Sequence, residues 1–174
     1  MKKIFIFLVA LLISCSTQTT LHKELYKGKE ILVGQTTRKS FQQKPYNEWF
    51  DANYRDYRPD TEIIKELSPV LNQYDIKIIM GTWCGDSQDQ VPVLYKVLDE
   101  AGYEKEPEVY CVPREYKTYK PVLKDSIIRV PTIIVLQDGQ EKGRIIEYPM
   151  KTIEEDLRDI LQGNYHHELE GEEY

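Results

Sequence analysis

The sequence predicts an α/β fold in which helices cover both faces of a mixed β-sheet. An apolar strand over 76–80 leads into an amphipathic helix over 88–101, and a second strand follows over 108–112. This strand–helix–strand order is typical of a parallel strand pair. A hairpin over 132–148 and a last helix over 152–162 then add antiparallel strands and complete a mixed sheet between helices.

Aromatic residues mark the segment before this core, residues 31–59, which we interpret as an N-terminal extension. Trp49, Phe50, Tyr54 and Tyr57 follow a helical spacing. The spacing predicts a helix that packs its aromatic side chains on the main domain. The alternative is an exposed aromatic surface that binds a peptide or a sugar.

The main domain is expected over 60–163, and its first helix carries a start and a stop signal. Asp60 is a typical N-cap residue, and Pro69 is expected to kink or divide the helix that follows, which carries apolar residues as far as Leu71. Residues 114–129 are mostly polar, so they predict a loop with a short helix between the second strand and the hairpin.

Turn and cap signals also set the end of the domain. Asp138-Gly139 is typical of a tight hairpin turn. Thr152 and Glu155 have the spacing of a capping box, so they predict the start of the last helix. The remaining residues, 164–174, are acidic and predict a disordered tail.

The first residues have the pattern of an export signal. Lys2 and Lys3 give a positive start, and an apolar stretch follows that is too short to span a bilayer. The ending Leu-Ile-Ser-Cys resembles the lipobox of bacterial lipoproteins, in which cleavage precedes a lipidated cysteine. This resemblance implies a signal peptide over 1–14, lipidation of Cys15 and a flexible tether over 15–30. An ordinary signal peptide with an incidental cysteine is the alternative.

Charge and cysteine content exclude several classes of function. The chain has a net charge of −6, and loss of Lys2 and Lys3 with the signal peptide would make it more negative. Nucleic acid is therefore not expected as a partner, nor is electrostatic adhesion to anionic lipid. Cys84 and Cys111 are the cysteines left after lipidation, too few for a disulfide-stapled scaffold.

The most informative segment is Trp83-Cys84-Gly85-Asp86-Ser87, which lies between a strand and a helix. A cysteine at a helix start is close to unpaired backbone N–H groups and to the positive end of the helix dipole. Both stabilise a thiolate, which is the nucleophilic form of cysteine. The segment therefore predicts thiol chemistry at Cys84, although Ser87 stands where a redox motif would carry a second cysteine.

These features together resemble the thioredoxin family over residues 60–162. Trp83-Cys84-Gly85 matches the family's Trp-Cys-Gly, and Pro92 falls where thioredoxins have a helix-kinking proline. Val130-Pro131-Thr132 resembles the segment around the family's cis-proline, and Asp138-Gly139 stands at the family's hairpin turn. The resemblance implies a thioredoxin-like fold. It also implies that Val130, Pro131 and Thr132 face Cys84 and bind a substrate segment, with Trp83 and Ser87 beside the nucleophile.

Two departures from the family exclude the usual dithiol cycle. Ser87 replaces the resolving cysteine, and Ile78 replaces the buried aspartate that assists proton transfer from it. A mixed disulfide at Cys84 would then be resolved by a small thiol, by a second substrate cysteine, or by Cys111 at the end of the neighbouring strand. Cys111 as an inert buried cysteine is the common alternative for such a residue.

No cofactor or metal site is expected. His166 and His167 are adjacent in the tail, without a matching set of cysteines or carboxylates. The sequence therefore predicts a lipid-anchored protein of the bacterial cell envelope, facing outside the cytoplasm. Its expected activity is single-thiol disulfide exchange on a cysteine-containing protein or a low-molecular-weight thiol. The alternative is a non-catalytic module that binds peptides or proteins.

Overall fold

The computed structural model of the chain describes residues 20–166. The expected signal peptide, Cys15 and most of the acidic tail lie outside the described residues. The strands are β1 (His22–Tyr26), β2 (Lys29–Thr36), β3 (Asp75–Met80), β4 (Glu108–Cys111), β5 (Thr132–Gln137) and β6 (Gln140–Ile146). The α-helices are α1 (Arg38–Phe41), α2 (Asn47–Asp56), α3 (Thr61–Leu67), α4 (Gly85–Glu100) and α5 (Ile153–Leu161). Shorter 3-10 helices lie at Leu71–Gln73, Tyr116–Thr118 and Lys120–Asp125.

The six strands form one sheet in the order β1-β2-β4-β3-β5-β6. β3 and β4 run parallel, and all other neighbouring pairs are antiparallel. The predicted fold class is therefore confirmed as a mixed sheet flanked by helices. The strand–helix–strand unit β3-α4-β4 provides the parallel pair, as the sequence pattern indicates.

The predicted flexible tether over 15–30 is wrong for its second half. β1 and β2 form an antiparallel hairpin, joined by a two-residue turn at Lys27 and Gly28. Both turn residues have positive φ angles, 50° and 76°, which suit the tight turns that match strand twist. β1 is exposed along most of its length, so its extended form comes from pairing with β2 and not from burial.

The interpretation of 31–59 as an extension is also wrong in part, because β2 belongs to the sheet. Gly34, Gln35 and Thr36 pair with β4, and the apolar run before them is buried. The predicted aromatic helix is confirmed as α2. Its Phe50 is 1% exposed and packs against Tyr95 of α4 at a ring distance of 5.7 Å.

Helix signals in the sequence correspond to observed caps. The Asp60 side chain accepts hydrogen bonds from the backbone N–H groups of the first turn of α3. That helix ends at Leu67, and a separate 3-10 helix follows at Leu71–Gln73, so the predicted helix is divided around Pro69. Thr152 caps α5 by accepting from the Glu155 N–H at 3.3 Å, and Pro92 lies inside α4.

Two apolar clusters lie on opposite faces of the sheet, because alternate side chains along β3 and β4 belong to different clusters. The larger cluster contains side chains of α2, α3, α4 and α5. The smaller cluster is centred on Ile79, Val112, Val130 and Ile134, and the segment 116–125 contributes to its cover. Cys111 belongs to the larger cluster, whereas Cys84 packs against the smaller one.

Candidate functional site

Cys84 lies at the N-cap of α4, directly after the turn that leaves β3. Its backbone is extended (φ −96°, ψ 127°), and its side chain is half-buried. The first N–H groups of α4 have no partner within the helix and point toward this end. The fold therefore places the cysteine of the motif at the N-terminus of α4, as the sequence predicts.

Hydrogen bonds from several elements hold the turn over 81–84. The Cys84 N–H donates to the Gly81 carbonyl at 2.9 Å, and the Leu32 N–H of β2 donates to Thr82 Oγ1 at 3.0 Å. The Gln88 side chain donates to the Thr82 carbonyl at 2.8 Å. β2, which the sequence analysis does not predict as a strand, thus helps to fix the backbone in front of the nucleophile.

Ser87 is fully buried, with 0% of its surface exposed. Its Oγ accepts a hydrogen bond from the Gly81 N–H at 3.2 Å. The Cys84 sulfur has its hydrogen-bond acceptors on Asp86 and Val130 and not on Ser87. Ser87 therefore joins the first turn of α4 to the end of β3.

Trp83 is held in a layer of aromatic and cationic side chains. Its Nε1 donates to the Val112 carbonyl at 2.9 Å. Its ring centroid is 6.2 Å from Tyr116 on one side and 6.2 Å from Tyr26 of the hairpin. The guanidinium carbon of Arg114 lies 4.5 Å from the Trp83 ring centroid, a distance suited to a cation–π interaction.

The segment Val130-Pro131-Thr132 lies beside Cys84. The Cys84 thiol donates to the Val130 carbonyl at a sulfur–oxygen distance of 3.3 Å. The Val130–Pro131 peptide bond is cis. All three side chains of the segment are buried, so a substrate would meet its backbone and not its side chains.

Asp86 supplies the carboxylate nearest to the nucleophile among the described contacts. Its Oδ2 lies 3.7 Å from the Cys84 sulfur, within the range of a weak S–H···O hydrogen bond. In the family, the proton acceptor is a buried aspartate at the position of Ile78, which here is a fully buried core residue. Asp86 thus puts a carboxylate near the sulfur from a different element.

Cys111 is not brought together with Cys84 by side-chain packing. Both cysteines are free, and Cys111 pairs in register with Met80 of β3, facing the larger cluster. It is fully buried, and desolvation raises the pKa of the Cys111 thiol far above its usual range. A thiol in this environment stays protonated and has no access to solvent.

A pocket of about 830 Å³ opens beside Cys84, and the sequence analysis does not predict it. Its walls come from the β1–β2 hairpin, from the connection between α1 and α2, and from Arg114. Val130, Pro131 and Thr132 do not line it. The run Ile31-Leu32-Val33 after Lys27-Gly28 is the signal that could have indicated the hairpin wall.

Residues 20–166 contain neither a metal-binding cluster nor a membrane-spanning helix. In that range no group of three or more His, Cys, Asp and Glu side chains is arranged to hold a metal ion. No helix among the same residues combines the length and apolar character needed to cross a bilayer.

A mixed sheet with a single motif cysteine at the start of the helix that follows its central strand defines a thioredoxin-fold module. A family model described as thioredoxin matches residues 35–158. The chain belongs to this family. Thioredoxin-like proteins generally act on cysteine-containing substrates.

Solved structures that resemble this chain have low sequence identity to it. A protein of unknown function from Pseudomonas aeruginosa has a TM-score of 0.53 and 12% identity, covering 74% of this chain and 81% of that one. An HIV epitope-scaffold has a TM-score of 0.50 and 15% identity over 74% of this chain and 83% of the scaffold. Thioredoxin from Aeropyrum pernix has a TM-score of 0.37 and 13% identity, covering 62% and 89%. The comparison with curated proteins gives no match.

Proposed function

We propose that the protein carries out thiol–disulfide exchange with Cys84 as its single reactive thiol. The observation that carries the proposal is the half-buried Cys84 at the N-cap of a 16-residue helix, open to a pocket of about 830 Å³. The fourth position of the motif is a buried serine bonded to Gly81, so the motif supplies no second thiol.

The exchange takes place at sulfur and balances without a cofactor. The Cys84 thiolate attacks one sulfur of a substrate disulfide, forms a mixed disulfide and releases the other substrate sulfur as a thiolate. The substrate disulfide is reduced by this step, and Cys84 becomes oxidised. A second thiolate must then attack the mixed disulfide to regenerate Cys84.

The second thiol is proposed to come from outside the chain. Cys111 is 0% exposed and faces the cluster on the other side of the sheet, so it would have to leave the core before it could react. A small thiol or a second cysteine of the substrate meets no such barrier. This burial supports an external thiol over Cys111 as the resolving group.

Asp86 is proposed to accept the thiol proton before Cys84 attacks as a thiolate. Its carboxylate and the Val130 carbonyl both face the sulfur, at 3.7 and 3.3 Å, and both are acceptors for the S–H donor. A carboxylate at this distance can take the proton directly or through one water molecule. After transfer, the N–H groups at the start of α4 remain to stabilise the thiolate.

Capture of mixed disulfides in cells tests this function. Acid quenching followed by thiol alkylation should yield covalent adducts of the wild type and of Cys111→Ser, and none of Cys84→Ser. Adducts that persist in Cys84→Ser, or their absence from the wild type, would refute exchange at Cys84. Partners retained without any Cys84 adduct would favour the non-catalytic binding module.

We also propose that the protein is lipid-anchored in the bacterial cell envelope and faces outside the cytoplasm. The support is the Lys-Lys start, the short apolar stretch and the Leu-Ile-Ser-Cys ending at Cys15. Cys15→Ala should release the protein from membranes or leave an uncleaved precursor. Unchanged detergent partitioning and unchanged mass of the variant would contradict the anchor.

A further inference from the structure

The pocket beside Cys84 is separate from the Val130-Pro131-Thr132 segment. Its lining includes Cys84 but none of those three residues, whereas the Val130 carbonyl contacts the Cys84 sulfur at 3.3 Å. A volume of about 830 Å³ lies within the range that suits a small molecule. A molecule bound in the pocket can therefore reach Cys84 without displacing the Val130-Pro131-Thr132 segment.

The charge of the pocket is opposite to that of the chain. The chain has a net charge of −6, yet Lys27, Lys29 and Arg114 all line the pocket. Two carboxylates, Glu30 and Glu48, also line the pocket, so its lining keeps an excess of positive charge, and Glu30 is bonded to Lys23 at 2.8 Å. Within residues 20–166 none of the three lining cations forms an ion pair, so their charge is available to a ligand.

Aromatic side chains hold two of these cations in place. Lys27 lies 5.5 Å from the Tyr26 ring centroid, and Arg114 lies 4.5 Å from that of Trp83. Tyr26 and Trp83 both line the pocket, and their ring centroids lie 6.2 Å apart, so the hairpin and the motif form one surface. Flat apolar walls with fixed cations suit a small organic anion.

We infer that this pocket binds a low-molecular-weight thiol that carries carboxylates, next to Cys84, and that this thiol takes the place of the missing resolving cysteine. The inference rests on the proposed exchange at Cys84 and names its second substrate. A bound thiol adjacent to the sulfur gains the proximity that an internal cysteine would have.

The reaction balances with two molecules of the small thiol, R–SH. A first thiolate R–S⁻ attacks the Cys84 sulfur of the mixed disulfide, which forms Cys84–S–S–R and releases the substrate thiolate. A second R–S⁻ attacks the sulfur of R, which restores the Cys84 thiolate and forms R–S–S–R. The substrate gains two electrons, and the two R–SH molecules lose them.

The test measures how fast the reduced protein reacts with small disulfides of different charge. The probes are the anionic bis(nitrobenzoate) disulfide, the neutral dipyridyl disulfide and the cationic cystamine. The rate of each probe with the protein is divided by its rate with a free model thiol. The Lys29→Gln/Arg114→Gln variant should react with the anionic probe about fivefold to tenfold more slowly than the wild type does. Its rate with the neutral probe should change less than about twofold, and its rate with cystamine should rise.

A matched control and a salt series separate the pocket from general charge effects. Lys142→Gln removes one exposed lysine of β6 and should leave all three rates unchanged. The preference for the anionic probe should fall as salt is raised from about 0.01 M to about 1 M, because salt screens exposed charges. The rate with the neutral probe also reports any structural change at Trp83 that follows from removing the Arg114 guanidinium.

The outcomes distinguish this inference from the proposed function. If the neutral probe modifies Cys84 but the anionic probe shows no preference in the wild type, the pocket inference is overturned and the exchange stands. If no probe modifies Cys84, both are overturned. A faster reaction with an acidic peptide disulfide than with the small anionic probe of equal charge would contradict a small-molecule occupant.

Discussion

Replacing Gly81 by alanine should displace the Trp83 ring and so disturb the site around Cys84. A Cβ atom at Gly81 would lie 2.5 Å from Trp83 Cε2 and 2.8 Å from Nε1, distances that real Cβ atoms essentially never show. The neighbour is the edge of the half-buried Trp83 indole ring and not the end of a flexible side chain. Trp83 must therefore move, and its contacts with Val112 and Tyr116 move with it.

The expected loss of stability follows from those contacts. Losing the hydrogen bond from Trp83 Nε1 to the Val112 carbonyl costs about 1 kcal/mol. Losing the stacking of Trp83 on Tyr116 costs about another 1 kcal/mol. With residual crowding included, the free energy of unfolding should fall by about 2 to 3 kcal/mol.

Urea unfolding of Gly81→Ala and Gly85→Ala provides a matched comparison. A Cβ at Gly85 meets nothing within 4 Å, and alanine favours the helix that begins there. Gly85→Ala should therefore be neutral or slightly stabilising. A Gly81→Ala variant within about 0.5 kcal/mol of wild type, with an unchanged near-ultraviolet spectrum, would refute the reasoning.

Three further predictions concern the packing around the site and at the end of the chain. Asp125→Ala should lower the free energy of unfolding, measured by urea denaturation, by about 3 kcal/mol, because it leaves the buried Lys77 without its partner at 2.6 Å. Replacing both residues by apolar ones should recover most of this loss. Arg38→Met should cost about 2 kcal/mol in the same assay, since the guanidinium lies over three aromatic rings and pairs with Asp99 at 2.7 Å. Burial raises the pKa of Asp156 above its usual 3.8, so the stability that this group contributes is present below 3.8 and is lost as the pH rises through the raised value. Unfolding at a series of pH values should therefore show the advantage of wild type over Asp156→Asn shrinking across that range, and an advantage that grows would contradict the shift.

Local sequence patterns were enough to predict the part of the site that lies on β3 and α4. A short apolar strand, a turn and an amphipathic helix fix where Cys84 must lie, because each element is encoded by nearby residues. The Val130-Pro131-Thr132 segment, which precedes β5, was predicted from the resemblance to the thioredoxin family and not from local patterns alone. The caps at Asp60 and Thr152 also depend on residues within one helical turn.

The parts that escaped prediction depend on contacts between distant residues. β1 has no alternating pattern and is mostly exposed, so only its pairing with β2 makes it a strand. Arg114 reaches Trp83 from the far end of β4, and no spacing in the sequence indicates that contact. The strand order correctly placed Cys111 beside β3, but the face on which its side chain lies became clear only from its register with Met80.

The central claim is that Ser87 is the residue that limits a dithiol cycle in this protein. Ser87→Cys places a thiol three residues from Cys84, within the first turn of α4, where its effective concentration exceeds that of any thiol in solution. Ile78 leaves this variant without the family's buried proton acceptor, so it should remain slower than a true thioredoxin.

Insulin reduction with a regenerating reductant, measured for wild type, Ser87→Cys and Cys111→Ser, tests this claim most directly. The account predicts slow turnover by wild type and Cys111→Ser, and turnover at least about tenfold faster by Ser87→Cys. Efficient turnover by wild type that survives Cys111→Ser would contradict it. Turnover by wild type that disappears in Cys111→Ser would also contradict it, by making the buried cysteine the resolving thiol.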